Sequence, residues 1–191
     1  MRIAVANLKG GTAKTTTAVY LARHLGATLV DADPQGSAMM WAEAVVQELG
    51  DFVPVVHLPD PKLVDRLPRA ERLVIDCSPR DHRITDAALS LADLAVVPTA
   101  TTSADMERTW ATLDLAAKLG TPAAVLLVRV RPWTRSFKAA LEALADERAL
   151  VLRARVPQRE ALAVAWGRRL GREGFGYDLA AREVEDIFQR G

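Results

Sequence analysis

Two hydrophobic periods alternate along this chain. Short β-branched runs are followed by longer alanine-rich and leucine-rich segments whose apolar residues recur at helical spacing. The runs predict strands at Arg2 to Ala6, Thr28 to Val30, Val53 to His57, Arg72 to Ile75, Leu94 to Val97, Ala123 to Val130 and Leu150 to Arg153. The longer segments predict helices at Lys14 to Leu25, Gly36 to Leu49, Thr85 to Leu91, Ala104 to Leu119, Ser136 to Ala145 and Asp178 to Phe188. Several runs, such as LVI before Asp76 and LAVV before Pro98, are continuously apolar, which suits strands covered on both faces. The expectation is an α/β fold: one domain over residues 1–191, with a mostly parallel, doubly wound sheet and helices on both faces. Thr102 and Asp105 have capping-box-like spacing before one helix, and Gly120 and Pro122 stop it. Four prolines between Pro54 and Pro68 mark an irregular connection rather than a domain boundary.

Composition narrows the partners. With 191 residues and 50% hydrophobic content, the chain closes one sizeable core. A formal net charge of +1 gives no global pull toward nucleic acid or membrane, so any basic surface must be local. The single cysteine, Cys77, forms no internal disulfide, which fits a reducing, cytoplasmic setting. No apolar run approaches the roughly 20 residues of a membrane span, and the start MRIAVANLKGG lacks a signal-peptide core.

The chemistry concentrates where IAVANLKGGTAKTTTAVYLARHL sets a glycine pair, a lysine and consecutive threonines between a predicted strand and a predicted helix. Backbone N–H groups in such a loop point at phosphate oxygens, and the helix N-terminus adds partial positive charge. Lys14 is expected to neutralise the outer phosphates and Thr15 to bind Mg²⁺. The common G-x-x-x-x-G-K-[ST] pattern is not met, because Leu8 and Ala13 stand at its two glycines. A glycine pair before a threonine also fits an ordinary strand-to-helix turn. Asp76, at the end of LVI, is placed like a carboxylate that holds Mg²⁺ through water.

KGGTAKTTTA resembles the deviant P-loop of the ParA and MinD ATPases. The likeness continues in DADPQGSA (Asp31 to Ala38), VIDCSP (Val74 to Pro79) and VVPT (Val96 to Thr99), and covers most of the chain in the right order. It is strongest to short plasmid-type ParA proteins without an N-terminal helix-turn-helix domain. The resemblance implies a P-loop NTPase that holds ATP or ADP with Mg²⁺ on Lys9, Gly10, Gly11, Thr12, Ala13, Lys14, Thr15 and Thr16. Thr15, Asp33 and Asp76 would serve the metal, and Lys9, Lys14 and Asp33 catalysis. Lys9 would reach the phosphates bound by a partner subunit, Asp33 would help position the attacking water, and Ser78 to Arg83 would sense the γ-phosphate. The family usually has glycine where Ala13 stands. If that position needs positive φ, its methyl costs on the order of 1 kcal/mol.

The same resemblance implies a homodimer on ATP binding, nonspecific DNA as a partner, a ParB-like or centromere-binding adaptor, and a role in plasmid or chromosome partition. From Arg129 to Arg172 there are eleven Arg or Lys against four Asp or Glu, so Arg168, Arg169 and Arg172 are candidates for DNA phosphates, or solvated surface. VPQRE resembles a segment near the nucleotide base, which makes Arg155 and Arg159 candidates for adenine. The last segment, AREVEDIFQRG, is acidic, unlike a basic membrane anchor. His24, His57 and His82 have no ligand spacing, and Trp110, Trp133 and Trp166 are expected as core or interface anchors. Rival readings are a metabolic enzyme of the same fold, such as an amidase or synthetase, and a degenerate protein that binds nucleotide without hydrolysis. An iron-protein-like electron carrier is opposed by the single cysteine.

Overall fold

A computed structural model describes every residue except Asp51, Arg172 and Gly191. Among those residues the order is β1 (Arg2–Val5), α1 (Lys14–Leu25), β2 (Thr28–Asp31), α2 (Ser37–Leu49), β3 (Val55–His57), α3 (Leu63–Arg66), β4 (Leu73–Asp76) and α4 (His82–Leu91). There follow β5 (Leu94–Thr99), α5 (Ser103–Lys118), β6 (Ala123–Val130), α6 (Arg135–Asp146), β7 (Val151–Pro157), α7 (Glu160–Ala163) and α8 (Tyr177–Arg190). The strands form one sheet in the order β3-β2-β4-β1-β5-β6-β7, and every neighbouring pair is parallel. The chain winds outward on one side of β1, then reverses through β5 to β7 on the other. Ligands of open α/β sheets collect outside the carboxyl ends of the strands at such a reversal, and the glycine loop leaves β1 there.

Alternation along each strand divides the core. Ile3, Val5, Leu29, Val74 and Val96 pack with α1, α2 and α8, whereas Ala4, Val30, Ile75 and Ala95 pack with α3, α4 and part of α5. A third cluster joins Val125, Leu127 and Val130 to α5 and α6. No helix among the described residues is long and apolar enough to cross a membrane.

The expected elements are all present, with informative differences at their ends. Helix α4 starts three residues earlier than expected because Asp81 caps it, accepting from the N–H groups of Arg83 and Ile84. The Thr102 cap forms as expected: its hydroxyl accepts from Asp105 N at 3.3 Å and donates to Asp105 Oδ2 at 2.5 Å. The expected end of the last strand at Arg153 is corrected to Pro157. Arginines interrupt its apolar run because β7 is an edge strand with alternating burial. Glu183 on α8 accepts from Arg153 N at 2.6 Å and Ala154 N at 2.7 Å, so β7 is tied to a helix rather than left as an open edge. The two four-residue helices α3 and α7 carry too few residues to show a period, and the sequence pattern misses them.

Candidate nucleotide site

The loop after β1 is held at its base by buried polar groups. Asn7 donates through Nδ2 to the Pro98 carbonyl at 3.0 Å and accepts the Lys9 N–H on Oδ1 at 2.9 Å. The Leu8 N–H donates to Thr112 Oγ1 at 3.1 Å. Gly11 at φ +75° and Ala13 at φ +62° then turn the chain into α1. Lys14 is buried inside this turn, and its ammonium donates to the Lys9 carbonyl at 2.8 Å. Burial lowers its pKa, against the opposing pull of Asp76. Helix α1 starts without a side-chain cap, which leaves first-turn N–H groups open to an anion. Thr12, Thr15 and Thr16 sit around the same turn. The left-handed conformation that a family glycine would favour falls on Ala13, so its methyl is strained.

Asp76 ends β4 directly across from this loop. It is buried, and neither carboxylate oxygen makes a hydrogen bond of good geometry, although the Thr15 hydroxyl stands close. Burial pushes its pKa up to about 7, and Asp31 and Asp33 add to that push, while the Thr15 hydroxyl and the Lys14 ammonium pull it down. A carboxylate left bare in the interior is costly unless a cation meets it. No group of three His, Cys, Asp or Glu that could cage a metal occurs among the described residues. One carboxylate and one hydroxyl, with the remaining positions left for water and phosphate oxygens, is the donor set that suits Mg²⁺. The residues present therefore fit a magnesium nucleotide.

The neighbouring acids have other surroundings. Asp31 accepts from Ala38 N and Met39 N at 2.9 Å each and from Asp33 N at 3.2 Å, so it supports the start of α2. Asp33 is half-buried, and its Oδ1 accepts from Gln35 N at 3.1 Å and from the Ser78 hydroxyl at 3.3 Å. Ser78 in turn accepts from Arg80 N and Asp81 N, at 3.3 and 3.4 Å. The turn after β2 and the turn after β4 thus share one hydroxyl. Cys77 is buried, and that burial raises its thiol pKa, which leaves it a packing residue.

Lys9 stands at the rim, with its side chain 37% exposed and its ammonium 2.5 Å from Asp105 Oδ1. Burial pushes the Asp105 carboxyl up, but Lys9 and Thr102 outweigh it and hold the group below the usual range. The sequence reading missed Asn7 and Thr112, and gave Asp105 a capping role without its contact to Lys9. A buried asparagine closing an apolar strand was the one visible signal.

A cavity of about 330 Å³ opens beside Ala13 and Thr16, between the ends of β6 and β7, with Arg129, Gln158, Arg159 and Tyr177 in its wall. Arg159, a candidate for adenine, lines this cavity. Arg155 does not line it, and its guanidinium turns back to the carbonyls of Leu152 and Ala154. Gly176 is forced: a Cβ there would stand 2.3 Å from the Arg155 carbonyl oxygen. Arg168 and Arg169 are exposed on the segment between α7 and α8, and the Arg168 carbonyl accepts from the buried Trp41 indole at 2.9 Å. Arg172 lies outside the described residues. Of the tryptophans expected as core or interface anchors, Trp133 is 98% exposed and Trp166 54%, which leaves them only the interface alternative; Trp41 fills the core.

A doubly wound parallel sheet, an uncapped helix behind a glycine loop, and a bare carboxylate on the adjacent strand together define a P-loop nucleotide-binding domain. Residues 3–170 match the family described as the CobQ/CobB/MinD/ParA nucleotide binding domain, and the chain belongs to that family. Its loop is the deviant, lysine-bearing form, and solved structures of the same fold hold ADP with Mg²⁺ or ATP. The maintenance of carboxysome distribution protein A of Gloeobacter kilaueensis is 40% identical over 150 residues, covering 74% of this chain and 68% of that protein. A structure assigned to plasmid partition in Borrelia burgdorferi, bound to AMPPNP, superposes with a TM-score of 0.78 at 18% identity, covering 99% of this chain and 98% of the other. Cobyrinic acid a,c-diamide synthase of Mycobacterium smegmatis, with ADP and magnesium, gives 0.75 at 20% identity over 98% and 95%.

Proposed function

We propose that this protein is an ATP-driven positioning switch that dimerises on ATP, binds DNA without sequence preference, and is reset by hydrolysis. The observation that carries the nucleotide chemistry is Asp76, bare and buried beside Thr15 and Lys14. In this reading Lys14 and the amides from Gly10 to Thr16 hold the phosphates, and Thr15 and Asp76 hold Mg²⁺. Bound Mg²⁺ supplies charge neutralisation on the phosphates. Asp33 orients the attacking water and shares Ser78 with the following turn, so loss of the γ-phosphate is felt from Ser78 to Arg83. Lys9 leaves Asp105 to reach the phosphates of the facing copy. Arg159, in the cavity wall beyond Thr16, meets the nucleoside.

Positioning is favoured over metabolism because the 40% relative maintains carboxysome distribution, whereas the likeness to the diamide synthase is one of fold. The same comparison favours a large protein assembly over a plasmid as cargo, with an adaptor protein in the place of a ParB-like or centromere-binding partner. Arg168 and Arg169 supply phosphate contacts to DNA, which would hold the ATP form on the nucleoid. Size-exclusion chromatography with a DNA fragment, in ATP and in ADP, tests this: comigration in ATP alone is expected, and indifference to DNA returns the metabolic enzyme. Changing both arginines to alanine should reduce the slope of log affinity against log salt by about 2 per chain. An unchanged slope would assign the pair to solvated surface.

A further inference from the structure

Trp133 stands at the tip of the β6–α6 turn, 98% exposed, with Arg131 and Arg135 on either side. From Ser136, three residues further along the chain, an apolar groove of about 660 Å³ opens between α5 and α6, lined by Met106, Trp110, Ala139, Ala140 and Ala143, with Glu107 on its wall. The groove begins at the carboxyl edge of the sheet, where Thr101 and Ser136 approach to 3.4 Å. Helix α5, which forms one wall, also carries the Asp105 that holds Lys9. Knob, groove and Lys9 therefore share one edge of the molecule.

From this juxtaposition we infer that Trp133 is the anchor of a self-complementary contact, in which the indole of each copy enters the α5–α6 groove of the other. This rests on the dimerisation proposed above and adds the residues that make it specific. An indole 98% exposed offers a partner a large apolar area, about 150–250 Å² when covered. It cannot occupy its own groove, being almost fully exposed. When a knob and a groove lie next to each other on one surface, a two-fold axis between them exchanges both at once. The charges agree with that exchange. Arg131 and Arg135 flank the knob, and Glu107, without an ion-pair partner among the described residues, borders the groove. DNA is the poorer occupant, because the groove wall is apolar and its one charged residue is acidic.

Trp133→Ala removes the knob and Ala139→Trp fills the groove, both at exposed positions outside the nucleotide machinery. Sedimentation velocity with ATP should show wild type associating and each variant weakened at least tenfold, with ADP affinity by calorimetry unchanged. Mixing the two variants should partly restore association, since the Trp133 of one still fits the open groove of the other. Glu107→Arg, repelled by Arg131 and Arg135, should also weaken association and would stand in if Ala139→Trp failed to fold. Association of Trp133→Ala at wild-type strength would overturn the proposal while leaving the dimer standing. A wild type that stays monomeric in ATP would sink both. Loss of DNA binding by Trp133→Ala with association intact would transfer the indole to the nucleic acid.

Discussion

The two ends of the sheet's carboxyl edge are built differently. Around β1, β2 and β4 the polar groups are buried and most have fixed partners: Asn7 braces the loop, Lys14 is folded into it, and Asp31 caps α2. Around the end of β6 the large groups stand in solvent: Arg131, Trp133 and Arg135 are exposed. Preorganised donors suit small-molecule chemistry, because no reorganisation is needed when the charge arrives. Exposed aromatic and cationic side chains suit macromolecular surfaces, where burial comes with the partner. In the function proposed above, one edge separates the nucleotide from the partners that the bound state would recruit.

Lys14 against Lys9 breaks that comparison most sharply. Lys14→Ala should weaken nucleotide binding by at least about 30-fold, roughly 2 kcal/mol, because a charge-assisted contact in a buried loop is lost. Lys9→Ala should bind ATP within a few-fold of wild type yet lose turnover by about 100-fold, as a group acting on the assembled state would. Calorimetry and a partner-stimulated ATPase assay separate the two. Equal loss of binding in both variants would mean that Lys9 belongs to the cradle. Asp33→Ala should resemble Lys9→Ala, and full activity in it would remove Asp33 from the reaction.

The legibility of the molecule follows the same division. The nucleotide edge was readable because its chemistry is local in sequence: KGGTAKT is one stretch, Asp76 closes an apolar strand, and Asp33 follows another by two residues. Its supports were not readable, since Asp105 reaches Lys9 across 96 positions and Thr112 reaches Leu8 across 104. At the other edge the charge excess was visible, but its use was not. Arg155 and Arg159 look equivalent in the sequence, yet one guanidinium is spent on its own strand. Trp133 and Trp41 likewise read alike, and only tertiary packing decides which is core.

Asp76 tests the buried side through pH. Its folded pKa is raised from 3.8 to about 7, so the nucleotide-free protein carries no penalty at low pH. Stability is then lost as pH rises from about 4 through 7 and the bare carboxylate ionises. Asp76→Asn should remove that loss and stabilise the nucleotide-free protein by roughly 1–3 kcal/mol at pH 8, with little difference at pH 4. Urea unfolding across this range measures it. The same variant should lose the Mg²⁺ dependence of nucleotide affinity. A variant destabilised at pH 8 would show that Asp76 has a partner and is not a vacant ligand.

The smallest expected effect concerns Ala13, the departure from glycine in the loop. At φ +62° an L-residue is disfavoured by about 1–2 kcal/mol, which Ala13→Gly would relieve. Two terms oppose the gain. Glycine enlarges the unfolded ensemble by roughly 0.4–1 kcal/mol, and the lost methyl lies half-buried against the core on the α1 side. The difference is a net stabilisation of about 0.5 kcal/mol, or roughly 1–2 °C in Tm for a domain of this size. Because the Ala13 backbone N–H is unchanged, ADP affinity should move less than twofold. A fall in Tm would mean that methyl packing outweighs backbone strain, making alanine the better residue for this loop.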